Sequence, residues 1–379
     1  MKKILTIIGA RPQIIKAAAI SRAIKNKFSN QLEEVLVHTG QHYDENMSTV
    51  FFDELGIPEP DHQLTIGSGS HGAQTGEMLT AIESLILSEN PDGVVVYGDT
   101  NSTIAGSLAA VKLHVPVIHI EAGLRSFNKK MPEEINRIAT DHFSTLLFTP
   151  TVSGIKNLAA EGFNTDHTDG VAALDSPQVY HCGDIMYDNS IFFSKIADEE
   201  SSILEKLGVK SDHYILSTVH RPSNTDEKDN LKSILRALNT IALTNQIKVV
   251  FPIHPRTKNK IAELLTQAFY NDISENILFV PPVSFLDMIK LEKHAQMVIS
   301  DSGGVQKEAY FFQKCCVILR EETEWVEIVD QKAAITVGAD YDKILSAYNE
   351  LKLSKCTFPK IFGSGKASEF ICEKILTTI

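Results

Sequence analysis

Two apolar runs, Val94–Tyr97 and 115–120, each stop at a polar cluster, the first at Gly98-Asp99 and the second at Glu121-Ala122-Gly123. The stretch between them, 101–113, is rich in Ala and Leu at helical spacing. Strand, helix, strand at this length is a βαβ unit, and such units build parallel sheets. Parallel strands that neighbour each other end on the same edge. Asp99 and Glu121 are therefore expected side by side at the carboxyl edge, where open α/β sheets take ligands. Glu133 and Glu134 follow Pro132 at a predicted helix start, with Arg137 one turn later. An acid at a strand end can also cap the next helix, and the Thr-Asn-Ser-Thr run after Asp99 allows that reading. Two such acids with more close behind favour chemistry. Carboxylates forced together repel, which pushes at least one toward the range of a useful acid or base.

The same alternation runs through the chain. The run 4–8 ends at Gly9-Ala10-Arg11-Pro12, and a helix is predicted from Gln13 to Ala23, with Pro12 suited to its first turn. Arg11 and Lys16 then sit at the mouth of a strand–helix turn, where free N–H groups and the helix dipole favour an anion. The strand 34–38 ends in Thr39-Gly40-Gln41-His42, where His42 reads either as a catalytic group or as a hydrogen-bonding loop residue. Further strands are predicted at 145–149 and 178–181, with an exposed loop at 164–176. After Cys182-Gly183 the alternation restarts, with strands at 214–219, 249–253, 277–280, 297–300 and 316–319. Two successive alternations imply an α/β protein of two Rossmann-like, doubly wound domains facing each other across a cleft. The expected domains are 1–183 and 184–365, with a closing helix at 366–379 packing back on the first.

A chain of 379 residues accommodates two such domains. A net charge of −12 argues against broad nucleic-acid or anionic-membrane binding, so an anionic ligand would need a local basic pocket. No run reaches transmembrane length. The five cysteines show no CxxC spacing, and Cys315 and Cys316 read as core residues in a reducing compartment, hence a cytoplasmic protein. No Walker loop, zinc spacing or paired-Asp magnesium motif is present, and the first βα turn lacks GxGxxG. No metal and no nicotinamide or other cofactor is expected.

The second half carries its own strand-end polar groups. His220-Arg221 closes one strand and His254-Pro255-Arg256 the next, where His254 reads equally as a structural loop residue. Asp301-Ser302-Gly303-Gly304 closes a third and opens a helix containing Glu308. Ser-Gly-Gly before a helix lets backbone N–H groups approach a phosphate, and an acid one turn on can accept from a ribose diol. Domain two thus offers a nucleotide diphosphate site from His220, Ser302, Gly303, Gly304 and Glu308. Domain one offers Arg11, Lys16 and the carboxylates. The ligand that fits both is a nucleotide-sugar.

These residues fall in segments that resemble the non-hydrolysing UDP-N-acetylglucosamine 2-epimerases along essentially the whole chain. The segments are GARPQIIK (9–16), TGQH (39–42), GDTNST (98–103), HIEAGLRS (119–126), PEEINR (132–137), HR (220–221), HP (254–255) and DSGGVQKEA (301–309). The resemblance implies a dimeric enzyme with the GT-B-like architecture that it shares with one class of glycosyltransferases. It implies inversion at C2 of the sugar: UDP leaves C1 as the C2 proton is removed, giving a 2-acetamidoglycal, and adds back with the proton on the opposite face. By motif position Asp99, Glu121 and Glu133 match the catalytic carboxylates, and His220 matches a phosphate-side group placed to assist the leaving group. Arg11 and Lys16 likewise match phosphate-side residues, and Arg137 a substrate-binding position. Ser302, Gly303, Gly304 and Glu308 match the diphosphate and ribose site, and Val283 and Met288 the uracil side. Better-known members carry Thr-Glu-Arg-Pro-Glu where this chain has TEWVE (323–327). Trp325 there removes a nucleotide-binding cation for which Arg320 is the candidate replacement. Gln41-His42 is followed by Tyr43-Asp44-Glu45, unlike the members with an allosteric substrate site. TEWVE, RSFN (125–128) and VQKEAYFF (305–312) look more like the subgroup acting on UDP-2,3-diacetamido-2,3-dideoxyglucuronic acid. Either substrate would feed surface-polysaccharide synthesis. A glycosyltransferase, a non-catalytic nucleotide-sugar sensor and a hydrolysing variant are the alternatives. Only an epimerase needs an acid/base group on each side of C2.

Overall fold

The computed structural model describes residues 1–40, 56, 58–67, 69–166 and 170–379; His42 and residues 41–45 lie outside them. By internal contacts the chain forms two units, Met1–Asn189 with Lys360–Ile379, and Ser190–Pro359. The first division falls inside the Ile185–Glu200 helix, a few residues beyond the expected 183/184, and the second falls ahead of the expected 365/366.

The first unit is built on seven parallel strands: β1 (Lys2–Ile8), β2 (Leu32–His38), β3 (His62–Gln63), β4 (Gly93–Tyr97), β5 (Val117–Ile120), β6 (Leu146–Thr149) and β7 (Gln178–His181). Their order is β3-β2-β1-β4-β5-β6-β7. All of β4, Gly-Val-Val-Val-Tyr, is buried, as a central parallel strand covered on both faces must be. The Asn101–Lys112 helix lies close over it because its inward face is small. A Cβ on Gly106 would stand 3.2 Å from both Ile7 and Val96. Leu5, Ile7, Val94, Val96, Ala105 and Ala109 form the core there, each large member contributing about 1.5–3 kcal/mol by burial. The Ala367–Thr378 helix belongs to this unit and buries Ile371, Cys372 and Ile375 completely. Asp188 holds its first turn, accepting from the N–H groups of Ala367 (3.0 Å) and Ser368 (2.8 Å).

The second unit has six parallel strands: β8 (Tyr214–Thr218), β9 (Lys248–Pro252), β10 (Ile277–Val280), β11 (Met297–Ser300), β12 (Cys316–Ile318) and β13 (Ala334–Thr336). Their order is β10-β9-β8-β11-β12-β13, the 3-2-1-4-5-6 arrangement of dinucleotide-binding folds. In each unit the order reverses once, between β1 and β4 and between β8 and β11, and ligands bind such sheets beyond the strand ends at that reversal.

Cys315 is not a free core thiol: it is disulfide-bonded to Cys356. Cys315 is half-buried and packs, with Cys356, against the second unit's core, while Cys316, the first residue of β12, is a free thiol at 1% exposure. No described helix is long and apolar enough to cross a membrane.

Candidate active site

In the first unit, β4 and β5 pair with Tyr97 opposite Ile120, which brings Gly98-Asp99 beside Glu121. Glu121 adopts a left-handed backbone conformation (φ 76°), which is uncommon for a residue with a side chain. Two bonds hold it there, since the N–H groups of Glu121 and Ala122 both donate to the Phe148 carbonyl at 3.0 Å. Its carboxylate pairs with the Lys16 ammonium. Asp99 pairs instead with Arg137, whose other nitrogen donates to Glu134 at 3.0 Å. The mutual repulsion expected of the two carboxylates is therefore offset, because each has a separate cation. Lys16, expected on the phosphate side, rests on Glu121. Arg11 is exposed at the start of the Arg11–Ala23 helix.

The two neighbouring glutamates of the Pro132–Phe143 helix have different surroundings. Glu134 is buried and accepts from the N–H groups of Ser126 (3.0 Å) and Phe127 (2.8 Å), which closes the 125–128 loop over the helix start. Glu133 is exposed on the adjacent position.

Gln13 went unread within its motif, yet it ties the reversal point together. Its Oε1 accepts from the N–H groups of Gly9 (2.9 Å) and Ala10 (3.1 Å), and its Nε2 donates to the Tyr97 carbonyl (2.8 Å) and Thr103 (2.9 Å). One buried amide thus joins the ends of β1 and β4. His119, Asp141 and Arg125 form a second buried support. His119 donates from Nε2 to the Gly98 carbonyl (2.8 Å) and faces Asp141 through Nδ1 (2.7 Å). The other Asp141 oxygen accepts from the Gly123 N–H (3.1 Å) and pairs with Arg125 (2.7 Å). Burial alone would raise the Asp141 pKa, but His119 and then Arg125 hold it below the ordinary value. Full burial and paired geometry are not visible in spacing, so only the polar residue types could have flagged these positions.

In the second unit, Asp301 is wholly buried and gathers the turn after β8. It accepts from the N–H groups of His220 (3.1 Å) and Arg221 (2.9 Å) and from Asn224 Nδ2 (3.0 Å). His220 Nδ1 lies 3.5 Å from Asp301, with its ring partly exposed. Burial lowers the His220 pKa, and Asp301 opposes that shift. Ser302 caps the Gly303–Phe311 helix, accepting from the Val305 N–H. A Cβ at Gly303 would stand 2.6 Å from a carboxylate oxygen of Glu324, so the end of that side chain would have to shift to admit one. Glu308 is half-buried on the same helix. Beside it Glu292 is buried and pushed well above the usual carboxylate range by that burial and by Glu308. Val283 and Met288, both half-buried, flank the start of the Phe285–His294 helix. His254 caps the Pro255–Leu264 helix through the Arg256 N–H (3.2 Å), a structural role. Arg320 is bonded to Glu324 (2.8 Å), while Lys307 of the Gly303–Phe311 helix lies 4.1 Å from the Trp325 ring centroid, so a cation does stand against the tryptophan. Among the described residues no cluster of three or more His, Cys, Asp or Glu could hold a metal ion.

Two parallel, doubly wound sheets with polar groups gathered at each reversal define a GT-B-like α/β enzyme. The family model for UDP-N-acetylglucosamine 2-epimerase matches residues 24–376. The chain belongs to this family of isomerases. It is 48% identical over 98% of both chains to UDP-2,3-diacetamido-2,3-dideoxy-D-glucuronate 2-epimerase of Pseudomonas aeruginosa. It is 47% identical, again over 98% of both, to a UDP-N-acetylglucosamine 2-epimerase homolog of Methanococcus maripaludis. Among solved structures it resembles Methanocaldococcus jannaschii UDP-GlcNAc 2-epimerase in complex with UDP-GlcNAc and UDP, with TM-score 0.82 and 39% identity over 98% of each chain.

Proposed function

We propose that this protein inverts C2 of a UDP-2-acetamido sugar by eliminating and re-adding UDP, and that its substrate is UDP-2,3-diacetamido-2,3-dideoxyglucuronic acid. The observation that carries the reaction is the pair of strand-end carboxylates, Asp99 and Glu121, each held by its own cation. One carboxylate takes the C2 proton and the C1–O bond breaks. Its electron pair leaves on the diphosphate, and a C1=C2 double bond forms. Re-addition reverses these steps with the proton delivered to the other face, for which a second carboxylate is needed. Glu133 is the third candidate for this work. Arg11 and His220 stabilise the negative charge that grows on the departing diphosphate, while Lys16 and Arg137 hold the two carboxylates. Ser302, Gly303, Gly304 and Glu308 hold the diphosphate and ribose, and Val283 and Met288 flank the uracil. No cofactor enters this scheme. The substrate choice is supported by the TEWVE, RSFN and VQKEAYFF segments and by 48% identity to the diacetamido-glucuronate enzyme against 39% to the Methanocaldococcus jannaschii UDP-GlcNAc enzyme.

Turnover of both UDP-sugars side by side in deuterium oxide, with C2 configuration read by NMR, tests this directly. Deuterium at C2 and faster inversion of the diacetamido-uronate are expected. Faster inversion of UDP-GlcNAc reverses the substrate assignment, and the absence of C2 exchange with either removes the epimerase reading.

His220 should be neutral at pH 7 in the free protein and should gain a proton as the diphosphate binds beside it. A 15N titration of its ring should give a midpoint below the ordinary histidine value, rising when UDP is added. An unchanged midpoint would remove His220 from the phosphate side. A homodimer acting in cytoplasmic surface-polysaccharide synthesis completes the proposal. The Cys315–Cys356 disulfide removes the cysteines as support for that location.

A further inference from the structure

One buried ring touches the supports of both the turn carrying Asp99 and the turn carrying Glu121. His119 sits on β5, fully buried. Its Nε2 faces the Gly98 carbonyl, immediately before Asp99 (2.8 Å). Its Nδ1 faces Asp141 (2.7 Å), whose second oxygen holds the Gly123 N–H (3.1 Å) in the loop that begins at Glu121. Gly98 and Gly123 are both left-handed, at φ 62° and 77°, so both turns need fixed partners to keep their paths. The network continues through Arg125 to Glu161, where two guanidinium bonds of 2.7 and 2.6 Å close it.

Both ring nitrogens of His119 face acceptors, a carbonyl that can only accept and a carboxylate already accepting from an N–H and a guanidinium. The ring thus bridges the Gly98 carbonyl on one side and the Asp141 carboxylate on the other. The Coulomb partners around it come from three elements: Asp141 from the Pro132–Phe143 helix, Arg125 from the loop after β5, and Glu161 just past the Val152–Ala160 helix.

We propose that His119 is a positioning residue that sets the spacing of Asp99 against Glu121, acting through the Gly98 carbonyl on one side and Asp141 on the other. This rests on the epimerase reading of the same site. A displacement of about 1 Å between reacting groups can cost on the order of 10²-fold in rate, which is the scale such a clamp controls. It touches no substrate, so its loss should act on turnover and spare binding.

The test compares the full-length protein with His119→Phe, which keeps a ring at the position but drops both nitrogens, and His119→Gln, which keeps one amide donor toward Gly98. The expected order of kcat is parent, then Gln, then Phe. Phe should be down about 10²-fold, with KM and calorimetric UDP affinity within about threefold of the parent. Preserved UDP affinity reports on the second unit. Circular dichroism and an unshifted Tm for His119→Gln report on folding of the first. A kcat within threefold of the parent for His119→Phe overturns the proposal. So does a parallel loss of kcat and Tm with no partial rescue by Gln, which is the mark of a merely structural residue. If the parent itself shows no C2 exchange, the epimerase reading fails first, an outcome separate from either of these.

Discussion

Glu121→Gln is expected to lower turnover by about 10²- to 10⁴-fold while UDP affinity stays near that of the parent. The amide keeps the size and the hydrogen-bonding reach of the carboxylate but cannot take a proton. The backbone at Glu121 is held in its left-handed conformation by two N–H groups on the Phe148 carbonyl, so the substituted side chain starts from the same place. The substitution also strips Lys16 of its carboxylate in a largely buried pair, so some loss of stability accompanies the kinetic effect. Deuterium exchange at C2 separates the two. A folded Glu121→Gln protein that exchanges C2 at the parent rate would show that Glu121 is no acid or base here. Asp99→Asn should give a loss of the same order, with exchange lost from one face only if the two acids divide the faces between them.

Gly123→Ala should destabilise the first unit by about 3 kcal/mol, lowering Tm by roughly 6–12 °C. Two independent costs add at this position. The backbone is left-handed at φ 77°, where a side chain is strained. A Cβ would also stand 2.6 Å from the Gly154 carbonyl, and a backbone atom cannot rotate away as a side chain can. The Gly123 carbonyl accepts from Asn157 (2.9 Å) and its N–H donates to Asp141, so the loop has no free path along which to shift. Calorimetric melting of the purified variant measures this. An unchanged Tm would mean that the loop relaxes in a way the static geometry does not show.

Much of the architecture was legible because parallel strands buried on both faces read as unbroken apolar runs, and their polar ends mark the ligand edge. Val94–Tyr97 and 115–120 are such runs, and Asp99 and Glu121 were found from them. Short strands with no periodic signal escaped. β3 is the two polar residues His62-Gln63 and β13 only Ala334–Thr336, and the Tyr341–Leu353 helix beyond it was also passed over. At the site, charge could be read but pairing could not. Two adjacent acids predict repulsion until Lys16 and Arg137 are seen to take one each. Glu133 and Glu134 are indistinguishable as letters, and only the helix phase buries one and exposes the other. Gln13, His119 and Asp141 act through distances that cross 84, 21 and 22 residues of chain, beyond the reach of local spacing.

The first unit is interrupted: its core is completed by the Ala367–Thr378 helix, after the whole of Ser190–Pro359 has intervened. On the ribosome, the uninterrupted Ser190–Pro359 unit therefore has all its strands available before the earlier-synthesised one can seal. The nascent acid-bearing lobe waits with an uncovered apolar groove along the Arg11–Ala23 helix. Chaperone dependence and aggregation during synthesis should concentrate there, and a stop codon just before residue 367 should injure the acid-bearing lobe at the opposite end of the gene.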